Sequence, residues 1–258
     1  MAKHPPALLR RTSPRKRGPS AVGDTASDSF FSSEAASLYK LMAWLSPAYP
    51  VGAFSYSTGL EWAVEAGDVI CPHTLSRWLT AFLTDGSGFC EAALFAQAYR
   101  ACETGNDKSL FAIAELAAAL VPSRERFLET TAQGNAFLEV THAAWPCPAL
   151  NRLDILRRGA LAYPVAVGVA AAGHAIPLEA SLSVYLQSVV ANWVSAGVRL
   201  IPLGQTDGQR VIAVLEPVVA ATAARALATP LEEIGGASFR ADITAMRHET
   251  QYTRLFRS

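Results

Sequence analysis

The sequence lacks the glycine-rich loops with which many proteins bind nucleotides. It contains no G-x-x-x-x-G-K-[ST] segment, and no G-x-G-x-x-G segment follows a predicted strand. Such loops hold phosphate groups with their backbone N–H groups, so the sequence gives no support for nucleotide binding by either motif. Any nucleotide that the function requires would therefore sit on a partner.

Metal-ligand and nucleophile arrangements are also missing. None of the five histidines stands three to five residues from another on a predicted helix, as a helical zinc or nickel site would need. Ser55 lies in G-A-F-S-Y-S, which is not the G-x-S-x-G elbow of a hydrolase. We therefore predict no catalytic residue, no cofactor and no metal site. His174, on an Ala-rich apolar segment, is predicted to be a hydrogen-bonded core residue.

One pair of soft donors, Cys71 and His73, lies within a single turn. Two ligands cannot close a tetrahedral site, so we interpret the pair as a helix entry with an incidental thiol. A dimer could supply two further ligands, which leaves metal binding open as an alternative.

The four cysteines form no C-x-x-C pair, and no apolar secretion signal precedes them. A reduced cytoplasmic location is the expectation. The most membrane-like segment, residues 161–177, is short and contains Pro164 and His174. It predicts a buried helix and not a membrane span.

Charge is unevenly distributed although the formal net charge is zero. The residues before Asp24 include six bases and no acid, so 16 bases face 22 acids in the remainder. A basic, Pro- and Ser-rich segment on an acidic body suggests self-contact or an acidic partner more than a nucleic-acid-binding fold. We predict that residues 1–32 are a disordered tail.

Strand signals are nearly absent, and the capping residues from Ser33 onward are those that begin helices. Thr58 with Glu61 forms a possible capping box, and four residues stand before apolar-periodic stretches: Thr74, Asn106, Ser123 and Thr206. The fold class is therefore all-α, a single domain of roughly ten helices over residues 33–245. The predicted helices are 34–45, 58–66, 74–85, 88–103, 107–120, one after Ser123, 150–160, 163–175, 178–196, 207–216, 218–228 and 231–235.

Three features refine this prediction. The helix over 178–196 is apolar nearly all round, which places it at the centre of the fold or in a subunit interface. Gly197 is expected to end it, and Pro217 is expected to break or kink its own segment. After Ser123, residues at steps of four and three share one face that should be buried: Phe127, Thr131, Gly134, Leu138 and Thr141.

Two stretches are harder to explain by packing alone. Residues 45–62 concentrate two prolines, two glycines and four aromatic residues between two helices, and residues 246–258 alternate arginines with Tyr252, Leu255 and Phe256. Each could be a packed connection or a docked end segment. Aromatics and arginines on a stiff backbone are also typical of interface hot spots, so both stretches are candidate partner-binding surfaces.

These two stretches carry a resemblance. S-P-A-Y-P-V-G-A-F-S-Y-S-T-G-L-E at 46–61 and M-R-H-E-T-Q-Y-T-R-L-F-R-S at 246–258 resemble the UreF family of urease accessory proteins. The resemblance covers the chain from about residue 37, and residues 1 to about 30 lie outside it.

The resemblance implies an all-α protein that dimerises, binds UreD (also called UreH) and through it recruits the GTPase UreG, so that nickel reaches apo-urease. It implies partner-binding roles in the first stretch for Pro50, Gly52, Phe54, Tyr56 and Glu61. In the second stretch it implies them for Arg247, Glu249, Tyr252, Arg254, Phe256 and Arg257. His248 is not followed by the cysteine that some members carry, which speaks against direct nickel binding.

Three hypotheses follow. The first is a scaffold and GTPase effector in urease maturation, and the second is a metallochaperone that binds nickel through Cys71 and His73. The third is a helical enzyme with an unrecognised pocket, which would show a closed cleft lined by convergent polar groups.

Overall fold

The computed structural model describes residues 32–156 and 159–258, and over these residues the chain is helical without a strand. The all-α prediction is confirmed. The predicted disordered tail lies outside the described residues except for Ser32, whose Oγ accepts a hydrogen bond from Ala35 N at 3.2 Å and caps the first helix. The described part holds eleven α-helices: α1 Ser33–Trp44, α2 Leu60–Glu65, α3 Pro72–Thr84, α4 Ser87–Glu103, α5 Asp107–Ala119, α6 Arg124–Ala144, α7 Pro148–Leu156, α8 Tyr163–Gly173, α9 Leu178–Leu200, α10 Gln205–Ala228 and α11 Phe239–His248.

The core centres on α8, which packs against α4, α6, α7 and α9. Its residues 164–171 are all buried, because the helix carries no charged side chain and is surrounded on every side. The prediction of a buried helix within 161–177 is confirmed. The face of α6 that includes Thr131, Gly134 and Leu138 is buried as predicted, while Phe127 at its start is half-buried.

Helix α9 buries one face inside the monomer, with Leu182, Tyr185 and Trp193 among its buried residues. It does not end at Gly197 but continues to Leu200. At Gly197 a Cβ would lie 2.7 Å from Cδ2 of Leu75, so glycine here permits α3 and α9 to pack closely and does not act as a stop signal.

Helix α10 was expected as two helices, but it runs unbroken through Pro217. Pro217 lies on the exposed side, while the opposite face packs along α9, α3 and α4 through residues such as Val211 and Leu215. That packing outweighs the hydrogen bond that proline cannot make. Among the described residues, α10 alone is long and apolar enough to cross a membrane by length and composition.

The predicted helix starts are partly correct. Asn106 and Ser123 cap α5 and α6 through their side chains, as expected. Thr74 and Thr206 lie inside helices that begin earlier, at Pro72 and Gln205. The capping box of Thr58 with Glu61 is wrong, because Gly59 caps α2 and both polar side chains bind elsewhere.

Helix α11 was not predicted. It packs against α2 and α6 and precedes a short irregular segment. The expected boundary between the helical domain and the C-terminal segment, after residue 245, therefore falls inside a helix.

Candidate partner-binding site

The proline–glycine stretch forms an ordered connection between α1 and α2; together with the first two residues of α2 it is here called loop 46–61. Tyr49 turns inward and its hydroxyl lies 2.7 Å from Oγ1 of Thr141, while Gly52 adopts a left-handed conformation with φ of 75° and starts a short 3-10 helix. Thr58 also has a positive φ, 60°, and is buried. The loop therefore has a fixed backbone with one side against the core.

Residues 246–258, here called tail 246–258, fold back onto this loop. The N–H of Arg257 donates to the carbonyl of Ser55 at 2.9 Å, and the N–H of Ser57 donates to the main-chain oxygen of Ser258 at 2.8 Å. Ser57 Oγ also donates to that oxygen. The two unusual stretches of the sequence, about 200 residues apart, are thus one structural unit.

Glu61 is the residue on which the tail closes. Its carboxylate is buried and accepts hydrogen bonds from Leu255 N at 2.6 Å and Phe256 N at 2.9 Å. Two backbone donors on one carboxylate hold the turn of the tail against α2. Gly59 makes this approach possible from the other side, because a Cβ there would lie 2.7 Å from Ala245 N of α11.

His248, the last residue of α11, sits between two acids and is fully buried. Its Nε2 lies 3.0 Å from Oε2 of Glu61, and its Nδ1 lies 2.5 Å from Oε2 of Glu125 on α6. Arg254 Nη1 donates to the other oxygen of Glu125 at 2.7 Å. This chain of polar contacts ties α2, α6 and the tail together.

A second buried network is centred on Arg126 of α6. Arg126 contacts Glu91 at 2.7 Å and Glu129 at 2.6 Å. Thr58 Oγ1 accepts hydrogen bonds from Arg126 and from Trp193, and Ser258 Oγ donates to Glu129 at 2.5 Å. The last residue of the tail therefore reaches the ion pairs of the core.

Burial sets the proton affinities of this network. It raises the pKa of the Glu91 carboxyl, against the opposing effect of Arg126. It also opposes the charge on Arg126, but Glu129 and Glu91 outweigh it and raise the pKa of that guanidinium. Arg126 thus forms an ion pair with each of the two acids, since buried charges require a partner.

A cavity of about 280 Å³ opens between loop 46–61, α6 and α9. Its polar lining includes Glu91, Arg126, Glu129, Tyr163 and Tyr185. Both carboxylates are paired with Arg126, and burial raises the pKa of Tyr163 and of Tyr185. The cleft that the enzyme hypothesis requires thus exists, but both of its carboxylates are held in ion pairs with Arg126, and burial favours the protonated form of both tyrosines.

The outer side of the same unit is apolar and basic. Tyr252 is fully exposed and Leu255 is 67% exposed, beside the exposed arginines Arg254 and Arg257. Helix α11 adds an exposed stripe at positions i, i+4 and i+7, formed by Phe239, Ile243 and Met246. Large apolar side chains clustered with arginines are the composition of protein-binding hot spots.

The comparisons with known proteins agree with this picture. The UreF family model matches residues 69–216, which is more than half of the chain. The urease accessory protein UreF of Rhodopseudomonas palustris strain HaA2 is 61% identical over 225 residues, 87% of this chain and 95% of the relative. The chain belongs to the UreF family. UreF of Bradyrhizobium diazoefficiens is 60% identical over 87% of this chain and 93% of the relative, and UreF of Bradyrhizobium sp. strain ORS 278 is 56% identical over 94% and 97%.

In this UreF-family chain, the expected partner-binding residues fall into two groups. Most of those in the loop and tail are exposed, but three are buried: Tyr56, Glu61 and Phe256. Glu249 is half-buried and accepts a hydrogen bond from Arg124 N at 2.9 Å. The buried members can influence a partner only by positioning the exposed ones: Pro50, Gly52, Phe54, Arg247, Tyr252, Arg254 and Arg257.

Sequence reasoning missed two parts of this candidate site. The α11 stripe had a usable signal, since Phe239, Ile243 and Met246 follow a helical period. Glu125 had none, because its pairing with His248 joins residues 123 positions apart.

The metal-ligand candidates remain isolated. The described residues contain no group of three or more His, Cys, Asp and Glu side chains that could hold a metal ion. Cys71 is half-buried with Sγ 3.6 Å from Thr74 Oγ1, and His73 is exposed. His174 is hydrogen-bonded as predicted, since its Nε2 lies 3.0 Å from the carbonyl of Trp145, but it is half-buried at the end of α8 and not in the core.

Proposed function

We propose that this chain is a scaffold for urease maturation by nickel insertion. In this proposal it binds UreD (UreH), recruits and regulates the GTPase UreG, and brings both to apo-urease as a homodimer in the cytoplasm. It catalyses no reaction itself. Membership of the UreF family supports the general role, and the exposed surface of the tail and α11 supports partner binding.

A single observation carries the proposal. Tyr252 and Leu255 are exposed, yet the backbone around them is fixed by hydrogen bonds to Glu61 and Ser55. Exposed apolar side chains on an unrestrained segment would lose much conformational entropy on binding. On a fixed backbone that loss is small, so the surface suits tight association.

A scaffold without a phosphate loop can act on a GTPase only by binding its nucleotide states with different affinities. The proposal therefore predicts coupling between UreG nucleotide state and assembly. The family resemblance leads us to place UreD and UreG on the surface formed by the tail and α11, whose exposed arginines favour acidic partner surfaces.

Deleting residues 246–258 should abolish co-purification with UreD and UreG, but the deletion also removes His248 and the buried Phe256. A sharper variant is Tyr252→Ala with Leu255→Ala, because both side chains are exposed and their loss leaves the core intact. We expect at least about a tenfold loss of affinity for UreD, or about 1.4 kcal/mol.

The matched control is Ile155→Ala with Val214→Ala, two exposed apolar residues away from the loop and tail. This control should bind UreD like the unmodified chain. Unchanged binding by the Tyr252/Leu255 variant, measured by calorimetry with purified UreD, would contradict the assignment of this surface.

Direct nickel binding through Cys71 and His73 is not part of the proposal. A single titration with nickel compares the two ideas: binding that disappears in a Cys71→Ser, His73→Asn variant would support the metallochaperone instead.

A further inference from the structure

His248 is fully buried, so direct contact with a partner does not explain its place in the tail. The imidazole has no exposed surface, and each of its nitrogens faces a carboxylate oxygen, at 3.0 Å on Glu61 and 2.5 Å on Glu125. A neutral imidazole has one N–H donor, and an ionised carboxylate can only accept. Two such contacts are both satisfied only when both ring nitrogens carry protons.

The charges of the groups around the ring agree with this doubly protonated form. Glu61 comes from α2, Glu125 comes from α6, and Arg254 of the tail pairs with Glu125. Glu65 of α2 lies on the other side, where its Oε2 accepts from Gln251 Nε2 at 2.5 Å. With an imidazolium, the group formed by Glu61, Glu125, His248 and Arg254 carries no net charge. A neutral ring would leave one buried carboxylate facing a lone pair.

The geometry points to His248 as an imidazolium that positions the tail. We infer that the charged ring joins α2 to α6 and thereby holds Glu61 where it accepts the N–H groups of Leu255 and Phe256. Tyr252 and Leu255 are presented on the surface as a consequence. The effect on partners rests on the proposed function, whereas the effect on the tail does not.

The first test uses the unmodified chain. In a ¹⁵N-labelled sample near about pH 7, both ring nitrogens of His248 should show the chemical shifts of protonated imidazolium, with exchange-protected N–H protons. A neutral tautomer, with one protonated and one bare nitrogen, would overturn the inference.

The second test measures tail docking by hydrogen exchange at the amides of Leu255 and Phe256. His248→Gln should speed their exchange at least about tenfold, after correction for the intrinsic rate, because its amide cannot carry the positive charge.

Two comparisons make the result specific. The exposed His73→Gln is the matched control and should leave protection of the tail unchanged. Adding Glu125→Gln to His248→Gln removes the carboxylate that the lost charge compensated, and it should restore part of the protection. Unchanged exchange in His248→Gln would overturn the inference.

The two proposals fail separately. If the Tyr252/Leu255 variant binds UreD normally, the proposed partner surface is wrong, and the role of His248 in the free chain is unaffected. If the exchange experiment fails while that variant loses UreD, the partner surface stands and His248 is not its positioning residue.

Discussion

Loop 46–61 and tail 246–258 differ in how they are used, although both stand out in the sequence for the same reasons. The loop turns Tyr49, Tyr56 and Glu61 inward and leaves Phe54 exposed. The tail turns Phe256 inward and exposes Tyr252 and Leu255. Each stretch thus contains both anchors and exposed residues, and an unusual composition does not by itself tell which is which.

The pair of rings around Arg199 shows the difference most directly. Its guanidinium carbon lies 3.7 Å from the ring centroid of Phe54 and 4.3 Å from that of Phe256. The loop residue is 63% exposed, but the tail residue is 4% exposed. The two aromatic rings are therefore expected to contribute differently to stability, because burying a ring contributes more free energy than a surface cation–π contact.

The largest effect is expected from Phe256→Ala. Removing a buried aromatic ring should lower the free energy of tail opening or of unfolding by about 3–5 kcal/mol. Phe54→Ala, on the exposed side of Arg199, should cost about 1 kcal/mol or less. Urea unfolding combined with hydrogen exchange of the tail amides would measure both. Equal costs would show that loop and tail share the burial evenly.

Glu61→Gln comes next. The change keeps the volume of the side chain but removes the charge that binds His248 and two backbone N–H groups, so we expect a loss of about 2–3 kcal/mol. Glu232→Gln, on an exposed 3-10 turn, is the control and should stay within about 0.5 kcal/mol. A Glu61→Gln variant as stable as the control would mean that the tail is held by Phe256 alone.

The two left-handed glycines of the loop form a matched pair. Gly52→Ala should cost about 1–2 kcal/mol from backbone strain alone, since its Cβ would enter open space. Gly59→Ala should cost more than Gly52→Ala, because its Cβ would collide with the backbone of α11. Thermal unfolding of both variants provides the measurement. Equal values would indicate that α11 moves freely away from the loop.

The smallest effects are expected from removing two tyrosine hydroxyls, one buried and one exposed. Tyr49→Phe removes the buried hydrogen bond to Thr141 and should cost about 1 kcal/mol. Tyr252→Phe, fully exposed, should leave stability unchanged. Chemical denaturation of the two variants side by side is sufficient, and a destabilised Tyr252→Phe would place that hydroxyl in an unrecognised contact.

Local patterns predicted the helices well where the residues involved act on their own turn. Asn106 and Ser123 cap helices because their side chains reach N–H groups three residues away. The same reasoning failed at Thr58 and Glu61, whose side chains bind α6, α9 and the tail instead. It failed at Gly197 and Pro217 as well, where packing against neighbouring helices outweighs the local preference.

The sequence by itself determined the helical class, the buried helix α8 and the two stretches where partners are expected, since periodicity, apolar content and turn residues are local properties. Only the tertiary structure decided that these stretches pack on each other, that Glu61 and Phe256 are anchors, and that His248 lies between two acids. Those contacts join residues between about 120 and 200 positions apart. Hydrogen bonds and burial depend on distances in space, which the order of residues along the chain does not reveal until the chain has folded.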